Sequence, residues 1–423
     1  MDYHQNLRKN LAAFIASRLI PYLGITVILV FQAHQSFSEL SVLAYVLATY
    51  AVPVSLLSML LAVVGNLVAL NGSDFIKNQI LFRSSLTVAI TLAACVFILC
   101  LAIHTLWITR LTINTVSTLT PTSVSQIYLL STPLLVINTF LFYFNEAYSK
   151  ARSCARIKIT ATLSAVGLTL ATFMTSRSEH FIYFAGLFFV LLELLTLIMY
   201  VHLSKDRGLS FKPLLSLSVF KNILAMGLPV ALGLGIQKVY FLLLTNRLVR
   251  IDSDMVSMLS VSMSIVGLLL IPVAAFSQLH SLYVGNNTRA LLSYNRRGSV
   301  YLCAFMAVLG GLFYRFSDYF YRFFASEYAV IPAELPLAVT VLFLATALIN
   351  FSMGQLRAIR DTLIPQAIAG VVLLVGLYPL IAGHAFDDAG LATFLYAEAS
   401  ALVVCYALLQ YRTQRLGRRQ RPQ

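Results

Sequence analysis

Residues 84–107 read SSLTVAITLAACVFILCLAIHTLW, a stretch without a single Asp, Glu, Lys or Arg. An α-helix needs about 20 apolar residues to cross the roughly 30 Å of hydrocarbon in a bilayer, whereas a membrane β-strand needs about ten alternating ones. Backbone groups in hydrocarbon must hydrogen-bond to one another, and a run of this length can satisfy them only as a helix. The stretch therefore predicts a membrane-spanning helix.

Runs of the same kind fill the rest of the chain. Of its 423 residues, 59% are hydrophobic and 11% are charged, whereas a soluble domain carries about 25% charged residues. So few charges cannot cover a water-facing surface, and we predict an all-α polytopic membrane protein. The twelve predicted spans lie near residues 11–32, 41–69, 84–107, 124–146, 155–175, 180–203, 220–246, 256–284, 299–317, 332–355, 362–384 and 388–411.

The basic residues are distributed unequally between the loops. If both termini are cytoplasmic, the inner segments hold 22 of the 30 Lys and Arg residues and the outer loops hold six. The positive-inside rule therefore predicts cytoplasmic termini. It also accounts for the net charge of +14 without a nucleic-acid partner. The five cysteines are scattered, so we expect neither a metal site nor a disulfide framework.

The two halves of the chain resemble each other. Lys9–Leu11 (KNL) opens the first half and Lys221–Ile223 (KNI) opens the second, while Arg83 matches Arg296 at an offset of 213. Spans and charges keep the same order, which indicates a parallel repeat of two six-helix bundles that rock about a central cleft. We predict an N-terminal lobe at 1–203, a cytoplasmic linker at 204–219, a C-terminal lobe at 220–411 and a basic cytoplasmic tail at 412–423.

Three stretches of the second half form a family pattern. Gly227–Leu232 reads GLPVAL, Leu356–Pro365 reads LRAIRDTLIP and Tyr378–Leu380 reads YPL. With the span order, they make the chain similar to the multidrug and toxic compound extrusion (MATE) family, whose corresponding loop often reads Leu-Arg-Gly-x-x-Asp-Thr-x-x-Pro. The wider superfamily includes flippases for lipid-linked oligosaccharides. The resemblance implies twelve helices in two lobes and export of a small amphiphilic molecule driven by a proton or sodium gradient.

The same resemblance implies a cellular setting. It places the chain in the cytoplasmic (inner) membrane of a bacterium, in contact with lipid, with no cofactor besides the coupling proton or sodium ion. We expect the protein to be a monomer.

The chain departs from the family where coupling acids are often found. Gln237 stands where exporters often carry a Glu, eight residues after the seventh-span proline. No acid lies in the first span, and Thr346 aligns with an acidic position of the tenth. The family's cation-site acids therefore cannot be carried over, and the chain length is nearer to that of the oligosaccharide flippases.

Two carboxylates lie well inside predicted spans, Glu193 in the sixth and Glu398 in the twelfth. A charged group at the bilayer centre costs at least about 2.5 kcal/mol, and burial disfavours its charged form. Each Glu is therefore a candidate proton carrier. The alternative is a neutral glutamic acid that only bonds a neighbouring helix.

Three further polar residues and two prolines complete the list of candidate site residues. Lys238, deep in the seventh span, could pair with an intramembrane Glu, attract an anionic substrate such as a lipid pyrophosphate, or form a structural ion pair. Gln237 and Asn138 are candidate ligand-binding groups, with helix-to-helix hydrogen bonding as the alternative. Pro21 and Pro229 interrupt the first and seventh helices and are candidate hinges.

The sequence contains no Gly-x-Ser-x-Gly turn, no nucleotide-binding lysine loop and no His-Glu-x-x-His pair. We therefore assign no catalytic residues and predict that the protein is not an enzyme. The predicted function is secondary active export of an amphiphilic or cationic organic compound by proton or sodium antiport with alternating access. The alternative is a flippase for a lipid-linked oligosaccharide, which the position of Lys238 and the chain length favour.

Overall fold

The computed structural model is built from α-helices, and the residues it describes include no strand. This confirms the predicted all-α polytopic class. The described residues are 3–72, 74–108, 121–148, 151–176, 180–286, 291–325, 331–359, 361, 363–383, 386 and 389–419.

Twelve long helical segments follow the predicted order of spans. Eleven of them are long and apolar enough to cross a membrane, and the first helix is itself 33 residues long. The protein is thus a multi-pass membrane protein. The twelve segments are Tyr3–Gln35, Phe37–Ser58 continued by Met59–Val63 and Val64–Asn71, Phe75–Leu106, Pro121–Leu129 with Ser131–Tyr148, Ala151–Thr175, Ile182–Asp206, Leu217–Ile251, Ser253–Asn286, Leu291–Arg315, Leu335–Ala358, Leu363–Gly370 continued by Val371–Leu377 and Tyr378–Ala382, and Leu391–Arg419.

Local capping sets where several helices begin. The Ser36 hydroxyl accepts a hydrogen bond from the Glu39 backbone N–H at the start of the second helix. Asp74 does the same for the N–H of Lys77 at the start of the third, at 3.1 Å. That backbone hydrogen bond lowers the pKa of the Asp74 carboxyl. Polar residues at these loop positions therefore satisfy backbone groups that a helix end leaves open.

Two compact units divide the chain. One is Gly24–Val249, and the other combines Met1–Leu23 with Arg250–Gln423. The seventh helix thus packs with the helices before it, whereas the sequence places its lobe boundary at the linker. The two lobes of the internal repeat stay a prediction.

The seventh helix packs against the second through a row of small residues. Gly227, Ala231 and Gly235 are buried and spaced four residues apart, the pattern that lets membrane helices approach closely. A Cβ on Gly227 would lie 2.5 Å from the backbone oxygen of Leu60. Leu60 lies in the 3-10 segment Met59–Val63 of the second helix. The GLPVAL stretch therefore has a packing role.

The linker before the seventh helix is bound to the third helix. Arg83 Nε donates to the Lys212 oxygen at 2.8 Å, and the Leu214 N–H donates to Thr87 Oγ1 at 3.1 Å. The ring of Phe211 meets that of Phe82 edge-on, with centroids 5.1 Å apart. These contacts hold the chain that leads into the seventh helix within the first unit.

In the other unit, the tenth helix packs against the eighth, ninth and twelfth helices. The twelfth helix continues to Arg419, so the described part of the predicted tail is helical rather than a separate segment. Arg412 Nε, within this extension, bonds Asp361 Oδ2. Residues 420–423 of the predicted tail lie outside the described residues.

We expect Gly227→Ala to destabilise the unit Gly24–Val249. The added methyl group would overlap backbone that cannot move aside as a side chain can, and overpacking costs about 1–3 kcal/mol. Thermal unfolding in detergent measures the effect. The control is Gly167→Ala in the fifth helix, where a Cβ meets nothing within 4 Å. Equal melting temperatures for the two variants would contradict the close helix approach.

Candidate functional site

Two of the predicted site residues meet inside the unit Gly24–Val249. Asn138 Nδ2, on the fourth helix, donates to Glu193 Oε2 at 2.7 Å and to the Glu193 backbone oxygen at 2.7 Å on the sixth. Asn138 is buried and Glu193 is half-buried. Within the part of the chain that the structure describes, Asn138 Oδ1 has no hydrogen-bond partner. The pair therefore has a carboxylate that can bind a proton, and the carboxylate and amide oxygens together can coordinate a cation.

Lys158 lies beside this pair, which the sequence did not predict. The topology assignment counted it with the cytoplasmic segments, but the fifth helix begins at Ala151, so Lys158 lies about 10 Å along the helix. Its Nζ stands 3.5 Å from the centroid of the Phe142 ring, and Phe142 lies about one helical turn after Asn138 on the fourth helix. A long Lys side chain at this depth can still reach the polar interface, so the assignment of Lys158 to the cytoplasmic side stays a prediction.

A second buried polar group in the same unit joins three helices. His104 Nδ1 and Ser125 Oγ are 2.5 Å apart, and Ser125 Oγ lies 2.7 Å from the Tyr50 hydroxyl. Sequence analysis missed all three residues, because each is a common residue in an apolar run and only the packing of the second, third and fourth helices brings them together.

Lys238 occupies an unusual position on the seventh helix. Counting 100° per residue, Gly227, Ala231, Lys238 and Thr245 lie within about 40° of one face. The other three are buried, whereas the Lys238 side chain is exposed. The lipid-type face, with Leu232 44% exposed, points elsewhere on the helix. Lys238 is therefore an exposed residue beside buried positions of the same helix face.

The remaining candidates are not gathered with Glu193. Gln237 is half-buried beside Lys238. Among the described residues the structure records no ion pair for Lys238, so the predicted pairing with an intramembrane Glu is not seen. Glu398 is buried at 9% exposure in the twelfth helix, which belongs to the other compact unit.

The two candidate hinges differ in their surroundings. Pro21 lies inside the first helix, two residues before the boundary between the compact units at Leu23. The Tyr22 hydroxyl donates to the Ser264 oxygen at 2.8 Å, and a Cβ on Gly24 would overlap the Thr162 methyl. The first helix therefore changes unit next to Pro21. Pro229 lies within the tight packing of the seventh helix, and both hinge roles stay predictions.

Among the comparisons with known proteins, the search of solved structures gives matches. No family model and no curated protein matches the sequence. Among solved structures, the MATE multidrug transporter DinF-BH superposes with a TM-score of 0.75 at 17% identity, covering 98% of this chain and 96% of that one. An inward-facing multidrug resistance MATE family transporter of the MOP superfamily gives 0.73 at 14% identity, covering 95% and 96%. The chain has the MATE fold.

A third structure with this fold has a different description. It is a MOP superfamily transporter from Pyrococcus furiosus, whose reverse polarity of the binding pocket is said to suggest a different function. It matches with a TM-score of 0.70 at 14% identity, and the match covers 98% of this chain and 97% of that one. The MATE fold, as the resemblance implied it, is confirmed over nearly the whole chain.

We expect Asn138 and Glu193 to be energetically coupled. A double-mutant cycle with Asn138→Ala and Glu193→Ala, followed by unfolding in detergent, measures that coupling. Hydrogen bonds to charged groups contribute about 1.5–3 kcal/mol, whereas those between neutral groups in membrane helices average about 0.6 kcal/mol. The control cycle uses Asn145 and Ser204, a neutral pair 3.0 Å apart on the same two helices. Equal coupling in the two cycles would contradict a charged Glu193.

Proposed function

We propose that this protein is a secondary active transporter that exports an amphiphilic or cationic organic compound by proton or sodium antiport. The MATE fold, which covers nearly the whole chain, supports transport, because the proteins of known structure that share it are described as transporters. None of the solved structures named above is described as an enzyme, which supports a non-catalytic role. The internal repeat supports alternating access between two bundles.

The single observation that carries the proposal is the bond between Glu193 and Asn138. An ionisable group within a membrane helix is costly and is retained mainly where it serves a pathway or a relay. Asn138 Nδ2 fixes the carboxylate from one side, and the buried amide oxygen of the same side chain has no hydrogen-bond partner among the described residues. Carboxylate and amide oxygens are also the hard ligands that sodium prefers. The site therefore suits either coupling ion.

Lys158 makes the helix packing around this site depend on whether Glu193 has bound a proton or sodium ion. An ionised Glu193 is attracted to the Lys158 ammonium, and a proton or sodium ion on the carboxylate removes that attraction. Loading Glu193 thus changes the force between the fifth and sixth helices. That change is the type of differential interaction that shifts a two-state transporter from one conformation to the other.

A second function is favoured by Lys238. An exposed lysine within a membrane helix suits an anionic headgroup, such as the pyrophosphate of a lipid-linked oligosaccharide. The Pyrococcus furiosus structure is a precedent for reversed pocket polarity on this fold. In this alternative the protein is a flippase, and Gln237 beside Lys238 would bond the same headgroup.

The setting of the transporter belongs to the same proposal. We place it in the inner membrane of a bacterium as a monomer with both termini in the cytoplasm. The distribution of 22 inner against six outer basic residues supports this orientation.

Uptake of a cationic dye into inverted vesicles, driven by a proton or sodium gradient, tests the proposed function. We expect native protein to accumulate dye and Glu193→Gln to fall to the level of empty vesicles, because Gln cannot exchange a proton. Glu398→Gln is measured alongside, since Glu398 lies in the other compact unit. Glu334→Gln, at an exposed carboxylate before the tenth helix, is the matched control and should keep native uptake.

Each outcome selects one of the candidates. Native-level dye uptake by Glu193→Gln would show that Glu193 is not the coupling group. If dye uptake is lost in Glu398→Gln alone, the coupling site is Glu398 on the twelfth helix. The flippase would be favoured by two results together. Folded native protein would take up no dye, and it would bind a lipid pyrophosphate whose binding is abolished in Lys238→Gln.

A further inference from the structure

A network of hydrogen-bonded side chains lies in the other compact unit and has no part in the proposed function. Gln355 Nε2 donates to His280 Nε2 at 3.1 Å and to Asn295 Oδ1 at 2.8 Å. Asn295 Nδ2 donates to Gln410 Oε1 at 3.2 Å, and Gln410 Nε2 donates to Ser352 Oγ at 3.0 Å. The five residues come from the eighth, ninth, tenth and twelfth helices. Every link between these four helices is therefore a direct hydrogen bond.

The imidazole of His280 is packed tightly. His280 is fully buried, and its ring packs against those of Phe276 and Phe351, with centroids 5.9 Å and 4.9 Å away. A Cβ on Gly298 would lie 2.6 Å from His280 Cε1. The ring therefore has little room to turn, and a change in its protonation must be met by the amide groups of the network.

The hydrogen bonds of the network run in one direction. An amide nitrogen only donates, so the bond from Gln355 Nε2 requires His280 Nε2 to be an unprotonated acceptor. Each amide donates to the next group, and the Ser352 hydroxyl donates to the Leu348 oxygen at 3.0 Å. Gln355 Oε1 is buried and has no hydrogen-bond partner within the described residues. This arrangement therefore belongs to a His280 without a proton on Nε2.

A proton on His280 Nε2 would reverse that direction. The new N–H would face the amino group of Gln355, donor against donor, whereas a half-turn of the Gln355 amide brings Oε1 to it. Asn295 and Gln410 turn in the same way to keep their bonds, and the Ser352 hydroxyl then donates to Gln410 Oε1. The oxygen and the amino group of an amide are closely alike in shape, so these turns leave the packing unchanged. The amide chain thus has two arrangements.

The two arrangements are close in their number of hydrogen bonds. The present one has five, namely the four of the network and the one from Ser352 to Leu348. The reversed one keeps the four and gives up the fifth. Its bond from the imidazolium is charge-assisted, and such bonds are about twice as strong as neutral ones. The proton on His280 therefore decides which arrangement is more stable.

The network lies near helix ends that the basic residues assign to the cytoplasm. His280 lies six residues before the end of the eighth helix at Asn286, and Gln355 lies three before the end of the tenth at Ala358. These distances are about 9 Å and about 5 Å along the helices. Water at these ends can supply the proton.

The other titratable or charged groups near the network are tyrosines and arginines. The tyrosines are neutral at physiological pH. Arg412 bonds Asp361, and Arg18 of the first helix bonds Gln278, which two residues turn by about 200° from His280. The groups on the helices packed against the eighth are Tyr294, Tyr301 and the exposed Arg296 and Arg297 of the ninth, the exposed Arg357 of the tenth, and Tyr406 and Arg412 of the twelfth.

We propose that His280 is a second proton-binding site and that its proton reverses the amide chain as far as Ser352. The net change is one proton taken from water and one N–H bond formed on Nε2. This site goes beyond the proposed function, because it lies in the other compact unit from Glu193. Loading it changes the hydrogen bonds that join the eighth, ninth, tenth and twelfth helices.

Solid-state NMR on the purified chain in lipid vesicles tests both parts of the proposal. The ring nitrogens of His280, assigned by their loss in His280→Asn, show whether Nε2 carries a proton. The side-chain amide of Gln410, assigned by Gln410→Leu, shows how it is bonded. As the pH falls from about 9 to about 4, around the usual range of His, both signals should change with one midpoint. In Asn295→Leu the His280 signal should still change while the Gln410 signal stays constant, because the chain is cut between them.

The matched control is Gln366→Leu on the eleventh helix. Gln366 is a buried amide of the same unit that takes no part in these bonds, so both signals should keep their native midpoint. If Asn295→Leu does not fold, Gln355→Met cuts the chain at the neighbouring bond and tests the same coupling.

Each part of the proposal can fail separately. A His280 ring signal that stays constant over the whole pH range would overturn the proton site. A Gln410 signal that stays constant in the native chain, or that follows His280 equally in Asn295→Leu, would overturn the reversal of the amide chain. The measurement involves neither substrate nor Glu193, so its failure would leave the proposed function standing.

Discussion

Hydrocarbon offers no hydrogen-bond partner to a buried polar group, so a polar group in the spans is costly unless it finds a partner within the protein. The backbone meets this demand by forming helices, which sets the architecture. Side chains meet it by pairing across helices, as Asn138 does with Glu193 at 2.7 Å and Asn145 with Ser204 at 3.0 Å. The first pair differs from the second in one respect, because its acceptor is an ionisable carboxylate. The same constraint therefore produces both a structural bond and a group that can be loaded with an ion.

The helices are also grouped by how closely their backbones approach. Gly227, Ala231 and Gly235 bring the seventh helix against the second, and the linker contact between Arg83 and Lys212 holds the preceding chain. These interactions keep the seventh helix within the unit Gly24–Val249. The first helix passes from one compact unit to the other beside Pro21. A transporter needs such rigid units, since loading one carboxylate can change a conformation only if packed helices respond together.

The sequence predicted the number, order and approximate bounds of the spans, because length and apolar composition decide them. It also indicated Glu193 and Asn138 as candidate site residues, since polar residues inside apolar runs are few, and their role stays a prediction. It did not show that these two meet, nor that Lys158 lies beside them, because the relative rotation of helices is not visible in one sequence. His104, Ser125 and Tyr50 were missed for the same reason. The predicted lobe boundary at the linker rests on the similarity of the two halves. In the structure the seventh helix belongs to the unit Gly24–Val249, because its small residues pack closely against the second helix.

The central claim is that Glu193 carries the coupling ion that is exchanged for substrate, and the case measured is the proton. The most direct measurement is the number of protons released when the purified protein binds a cationic dye, obtained by calorimetry in buffers of different ionisation enthalpy. Linkage between the two ligands predicts about one proton released per dye by the native protein and none by Glu193→Gln. Equal proton release by the native protein and by Glu193→Gln would contradict the account.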